Sequence, residues 1–269
     1  MAKKLLHQFS HTFDGQIWRT EVDPQSGKMA LEIRSPEKHT VHFALLDTDS
    51  GRLLWQDLDA GTGWYGGMLA LHGTYLLVHG YGERPDPGEE DKVVIIDTGT
   101  GQVKWEIEHV RFLRTAGEAE VLLFSTVEEG HPALLANLET GEMDYVEVES
   151  PRPAGITQKY TKGLVMPLHY PEENQHFATL AELVQHITGH TPGNEIEYAE
   201  WGDCVVISYY LYKEAILDNF LLITDKAGIM LSHELLGEDM RGKASDSFFI
   251  LQDKLLFIKN KRTISVYGQ

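Results

Sequence analysis

Four histidines in one stretch, His169, His176, His186 and His190, have the type and spacing that could hold a metal ion. His186 and His190 lie four residues apart, so on one continuous helix they would share a face and could chelate. Gly189 stands between them and is expected to end the helix first, and the His-Glu-x-x-His pattern is absent. No metal site is expected. The acidic segments Asp47-Thr48-Asp49-Ser50-Gly51 and Asp97-Thr98-Gly99-Thr100-Gly101 have the composition of a calcium loop. Their glycine is fifth rather than sixth and strands flank them, so they read as turns. Among 41 Asp and Glu residues no spacing singles out a general acid–base pair. Nucleophile elbow, P-loop and dinucleotide-binding glycine patterns are all missing. Cys204 opens the apolar run Cys204-Val205-Val206-Ile207 and reads as buried packing rather than a nucleophile. No catalytic residue and no cofactor is expected.

Aromatic residues offer a different chemistry. Trp64-Tyr65 precede Gly66-Gly67, and Tyr209, Tyr210 and Tyr212 share one expected strand. Strand alternation puts Val205, Ile207, Tyr209 and Leu211 on one face and Tyr210 and Tyr212 on the other. Most of these rings are expected in the core, since both faces of each sheet should be covered. Those that are not would make stacking surfaces for a sugar or a peptide.

The elements that must position these residues come from a repeat. Leu45-Leu46-Asp47-Thr48-Asp49-Ser50-Gly51-Arg52-Leu53-Leu54-Trp55 returns as Ile95-Ile96-Asp97-Thr98-Gly99-Thr100-Gly101-Gln102-Val103-Lys104-Trp105. An apolar strand ends at an Asp able to hydrogen-bond its own backbone, Gly supplies positive φ, and a second strand carries Trp. That Trp is expected to wedge between neighbouring sheets. Weaker copies follow at Asn137/Gly141/Tyr145, at Thr224/Gly228, and around Asn260. Anchors at 47, 97, 137, 224 and 260 have one gap near two periods, which predicts about six four-stranded units. Strands 157–162 and 164–168 would belong to a fourth, irregular unit. Phe177, Leu180, Val184 and Ile187 fall at helical spacing there, predicting a helix over 177–188 ended by Gly189. Leu5–Phe13 has no partner in its own unit and is expected to pair with Thr263–Tyr267, closing a ring.

The formal net charge is −18. It argues against nucleic acid and against an anionic membrane face; it reads first as a solubilising surface that keeps the chain monomeric, with recognition of a basic partner as the other reading. One cysteine excludes an intramolecular disulfide. No apolar segment reaches spanning length, and the start lacks the apolar stretch of a secretory signal. A cytoplasmic monomer is the expectation.

The Asp-x-x-x-Gly-x-x-x-Trp phrase resembles the PQQ-like β-propeller repeat, best at Asp47/Gly51/Trp55 and Asp97/Gly101/Trp105. The chain is also similar to an uncharacterised bacterial family built on such repeats, with the opening phrase Gly15-Gln16-Ile17-Trp18-Arg19. The resemblance implies an all-β propeller of about six four-stranded blades, with five or seven left open, forming one domain over 1–269. It does not imply the quinone: such dehydrogenases have eight blades and an adjacent cysteine pair, and only Cys204 exists here. The expected function is a non-enzymatic interaction or scaffold propeller that binds a protein or peptide. The alternative is a small-ligand propeller, or one that binds or hydrolyses carbohydrate, with a site near the central channel built from Trp64, Tyr65, Arg84, His169, Tyr170 and Tyr210. In that site Arg84 and His169 would hydrogen-bond and the rings would stack.

Overall fold

The computed structural model describes residues 5–81, 91–147, 163–243 and 247–269. Arg84 and the expected strand 157–162 lie outside the described residues. The fold is all-β, with one helix and five antiparallel sheets among the described residues. The chain forms two compact units, a central one (Asp14–Lys159) and a terminal one (Met1–Phe13 with Tyr160–Gln269).

Strand β1 (Leu6–Thr12) belongs to the terminal unit. Three four-stranded meanders make the central unit. The first is β2 (Gln16–Asp23), β3 (Lys28–Ser35), β4 (Thr40–Asp47) and β5 (Arg52–Leu58). The second is β6 (Gly67–His72), β7 (Tyr75–Gly80), β8 (Lys92–Asp97) and β9 (Gln102–Glu108). The third is β10 (Val110–Ala116), β11 (Glu120–Ser125), β12 (Ala133–Asn137) and β13 (Met143–Val146). The middle strands are apolar on both faces because both faces are covered. Leu76 and Val78 pack with Phe43 and Leu45 of the first sheet, while Tyr75 and Leu77 pack with Val121 and Leu123 of the third.

The repeat phrase interlocks these sheets. Asp47 Oδ1 accepts the N–H groups of Asp49 and Ser50 at 3.0 and 2.8 Å, and Gly51 follows at φ 70°. Asn137 does the same for Glu139 and Thr140 at 2.8 and 3.0 Å, so the amide substitutes fully for the acid. Backbone N–H groups bonded to Asp97, that of Thr100 foremost, hold its carboxyl below the usual range. Trp55 then reaches the next unit, where its indole N–H donates to Thr98 O at 3.0 Å and its ring lies against Gly101. Trp105 repeats this on Leu138 O at 3.2 Å and Gly141. Gly101 and Gly141 are thus fixed twice, by their positive φ and by the tryptophan of the preceding sheet.

The terminal unit holds β14 (Leu164–Val165), β15 (Leu168–Pro171), α1 (Phe177–Thr188), β16 (Glu195–Trp201), β17 (Cys204–Lys213), β18 (Ile216–Asp225), β19 (Met230–Met240), β20 (Phe248–Leu251), β21 (Lys254–Lys259) and β22 (Thr263–Gly268). One sheet runs β15-β16-β17-β18-β19 and the other β1-β22-β21-β20-β14. β1 pairs with β22 from Leu6↔Gly268 to Thr12↔Thr263, the partner expected for it. Helix α1 has the expected limits and ends at Gly189 in the left-handed region (φ 77°), its N–H bonded to Gln185 O. Phe177 and Val184 bury against Ile207 and Tyr209, while Cys204 and Val206 face the other sheet, as alternation requires.

Two expectations are corrected. Leu164–Val165 and Leu168–Pro171 form no separate fourth unit; they join β20 and β16. The described residues therefore show five sheets, the smaller number left open. The interval that suggested two periods is partly filled by a helix rather than strands. The turn expected at Thr224 is organised one residue later, where Asp225 Oδ1 accepts the N–H groups of Ala227 and Ile229 at 2.9 and 2.8 Å.

Candidate functional site: an aromatic and guanidinium platform

Glu32 and Arg34 are two apart on β3, so they share a face and form a 2.6 Å ion pair. Glu32 is buried, and its second oxygen accepts Met68 N–H at 2.8 Å. The remaining Arg34 donors reach Trp64 O and Gly66 O, each at 2.8 Å. A guanidinium fixed to three acceptors by its planar fork cannot swing. The guanidinium carbon lies over two indoles, with Trp18 and Trp64 ring centres 5.3 and 5.4 Å from Cζ. His39 extends the stack, parallel to Trp64 within 22° at 4.7 Å.

Local backbone explains the placement. β2 pairs Ile17 with Ile33 and Arg19 with Glu32, leaving Trp18 as the extra residue of a bulge. A bulge re-aims a side chain, and Trp18 is 65% exposed next to the buried Ile17. Gly67 has no room for a side chain: a Cβ would come within 3.0 Å of His79 Nε2 and 3.1 Å of Glu32 Oε2. Tyr65, 71% exposed, packs edge-on against Tyr81 at 6.0 Å, and Tyr81 against His79 at 5.7 Å. Trp18, Tyr65 and Tyr81 thus present exposed rings beside the half-buried Trp64 and the Glu32–Arg34 pair.

The surface continues through the backbone. Gly80 O accepts Asp91 N–H at 3.2 Å, and Asp91 O accepts His109 N–H at 2.6 Å. The buried Asp91 carboxylate takes His109 Nδ1–H at 3.1 Å and the Thr126 hydroxyl. Composition and spacing pointed to Trp64 and Tyr65 only. Trp18, Arg34 and His109 went unnoticed as site residues because a bulge and inter-strand pairing bring them there. The one local signal was Trp18 breaking the alternation of β2.

In the terminal unit the expected residues separate. His169 Nδ1–H donates to Glu195 at 2.9 Å, and Lys243 bonds the other Glu195 oxygen at 2.6 Å. Lys243 first, then His169, hold Glu195 below the usual carboxylate range against the opposing effect of burial. Tyr170 lines a cleft of about 230 Å³ with His176, Thr179, Leu180 and Tyr198. Its ring meets His176 and Tyr198 edge-on at 5.6 and 6.3 Å. Tyr210 is 1% exposed and sits in the core beside Ser247. Its neighbour Tyr209 bonds His190 and His233 at 2.9 and 2.7 Å, so His190 anchors the segment after α1 to the sheet. Among the described residues no group of three or more His, Cys, Asp or Glu is arranged to hold a metal ion. No described helix is long and apolar enough to cross a membrane.

A domain of unknown function, DUF4905, matches residues 22–105, less than half of the chain. That stretch contains Arg34, Trp64 and Tyr65 and both full copies of the repeat phrase. No curated protein matches the sequence. Similar solved structures include the β-propeller domain of the trilobed protease of Pyrococcus furiosus, 11% identical, with TM-score 0.34, covering 94% of this chain and 65% of that one. TolB of Acinetobacter baumannii is 10% identical, with TM-score 0.34, covering 95% and 55%. Oligogalacturonate lyase of Vibrio parahaemolyticus is 8% identical, with TM-score 0.34, covering 98% of each chain. The chain spans less than two thirds of the first two. Likenesses at this level carry no activity, substrate or partner to this chain.

Proposed function

We propose that the protein is a non-enzymatic binding module, its sheets arranged as the blades of a single β-propeller, and that the platform around Arg34 takes a basic protein or peptide segment. The observation that carries this is Trp18: a large ring 65% exposed yet held on a guanidinium that is itself fixed by three hydrogen-bonded acceptors. Trp, Tyr and Arg are the residues that dominate binding energy at protein interfaces, and rigid anchors lose little entropy on binding. An exposed aromatic patch rimmed by polar groups is the expected form of such a surface. The net charge of −18 favours a positively charged segment by steering and complementarity. No catalytic step, cofactor or metal belongs to this reading, and nucleic acid and membrane surfaces are not its partners. A cytoplasmic monomer remains part of it.

The test compares Trp18→Ala and Tyr65→Ala with wild type in titrations against capped hexaarginine and hexaglutamate peptides. The reading expects saturable binding of the basic peptide only, weakened at least about tenfold by Trp18→Ala. Equal binding by variant and wild type would remove its basis. A second reading, a small neutral ligand such as a sugar, is favoured by the cleft of Tyr170, His176 and Tyr198, whose rings and hydroxyls suit stacking and hydrogen bonding. A thermal-shift response to saccharides, abolished by Tyr170→Ala, would support it.

A further inference from the structure

We propose that His109 recognises the cationic group of the bound segment, its Nε2 accepting a hydrogen bond from an ammonium or guanidinium N–H of the partner. The inference rests on the binding reading above and deepens it by naming the residue that selects for positive charge. His109 holds a left-handed backbone conformation, φ 59°, as nine other non-glycine residues among those described do, and histidine adopts it more readily than most side chains. The His109 N–H donates to Asp91 O at 2.6 Å and its carbonyl accepts Thr126 N–H at 2.8 Å, so the backbone here is fixed on both sides.

The side chain is as constrained as the backbone. Asp91 has only 8% of its side chain exposed, whereas the His109 imidazole has 49% exposed. One Asp91 oxygen faces His109 Nδ1 and the other accepts the Thr126 hydroxyl. An ionised carboxylate can only accept, so the contact is made by Nδ1–H, and Nε2 faces outward as the acceptor of that neutral tautomer. Among the described residues Nε2 has no protein partner. A purely structural role would need only the Nδ1 contact, which a short amide in the same backbone conformation also makes. An exposed acceptor backed by a buried carboxylate selects an N–H donor and favours one that carries positive charge. The site adjoins the platform through Gly80, bonded to Asp91 and followed directly by Tyr81. Aromatic faces and an oriented acceptor are the two features that recognise lysine and arginine.

The experiment measures affinity of the whole chain for capped hexaarginine and hexalysine in wild type, His109→Gly, His109→Asn and Trp18→Ala. Asparagine adopts the left-handed conformation readily and keeps a donor for Asp91, so His109→Asn should melt near the wild-type temperature, whereas His109→Gly takes a donor from the buried carboxylate and should melt lower. Both variants should bind about tenfold more weakly, the usual loss for a hydrogen bond to a charged group. A second readout needs no variant: saturating peptide should slow carbethoxylation of His109 by diethylpyrocarbonate, followed by mass spectrometry. Binding by both His109 variants within about twofold of wild type, with Trp18→Ala impaired, would overturn the role of His109 and leave the platform standing. Unchanged His109 modification under saturating peptide would overturn it equally. Failure of wild type to bind either basic peptide would overturn both proposals.

Discussion

Replacing Gly101 by alanine probes the joint that repeats through the central unit. Gly101 has φ 69°, a conformation that costs an L-residue about 1–2 kcal/mol. The new Cβ would also stand 2.9 Å from Trp55 Cγ and 3.0 Å from Cδ1, closer than packed carbons approach. The indole must retreat, straining the hydrogen bond to Thr98 O, whose net worth is about 1 kcal/mol. Together these give a destabilisation of about 3 kcal/mol for Gly101→Ala. Trp55→Ala, which empties a partly buried ring site, should cost a similar ~3 kcal/mol. In the double variant the ring is gone and only the backbone strain of ~1–2 kcal/mol remains to be added. The cycle should therefore show a favourable coupling of about 1–2 kcal/mol between the two substitutions. Urea unfolding followed by far-ultraviolet circular dichroism measures all four chains without relying on tryptophan emission. Additivity within ~0.5 kcal/mol would refute the interlock of glycine and tryptophan between units.

Other predictions follow from the same geometry. Deleting residues 1–12 removes β1 from β22 and exposes a sheet edge, so the melting temperature should fall sharply; an unchanged melting curve would contradict that pairing. Gly189→Ala should lower stability by ~1 kcal/mol, because the helix ends there in a left-handed conformation. Burial pushes Tyr209 up to about 12, so the folded state keeps a proton that the unfolded chain loses from about pH 10. Stability should decline as pH rises from there, and Tyr209→Phe should flatten that limb. Burial, with the charge of His190, pulls His233 down, so the unfolded chain takes up its proton first as pH falls. Stability should then drop on acidification through about pH 6.5, less steeply in His233→Gln. Trp18→Ala should change stability by no more than ~0.5 kcal/mol, since an exposed ring contributes little to the fold.

The parts of this fold that local chemistry dictates were legible in the sequence. Asp47, Asp97 and Gly51 announce their turns because a short acid and a glycine do the same work in any protein. Phe177, Val184 and Gly189 announce α1 through period and stop signal. β1 and β22 were matched as two orphan strands. Distances along the chain are a weaker guide: the gap between Asn137 and Thr224 suggests an extra unit, the expected helix α1 occupies part of that gap, and 148–162 lie outside the described residues. The site was half legible for the same reason. Trp64 and Tyr65 stand out beside two glycines, whereas Arg34 becomes notable only when it lies over Trp18 and Trp64. Asp91 and His109 are 18 residues apart in sequence and meet only because β8 and β9 form a hairpin. Tyr210, by contrast, was chosen for its type and lies in the core, where alternation alone could not distinguish channel from sheet interior.

The central claim is that an exposed, rigid aromatic and guanidinium surface binds positively charged segments. Its most direct test is a calorimetric titration of hexaarginine into wild type and into Trp18→Ala. The account predicts saturable binding to wild type, weakened at least about tenfold in the variant at equal melting temperature. Identical isotherms for the two chains, or a preference for hexaglutamate, would contradict it.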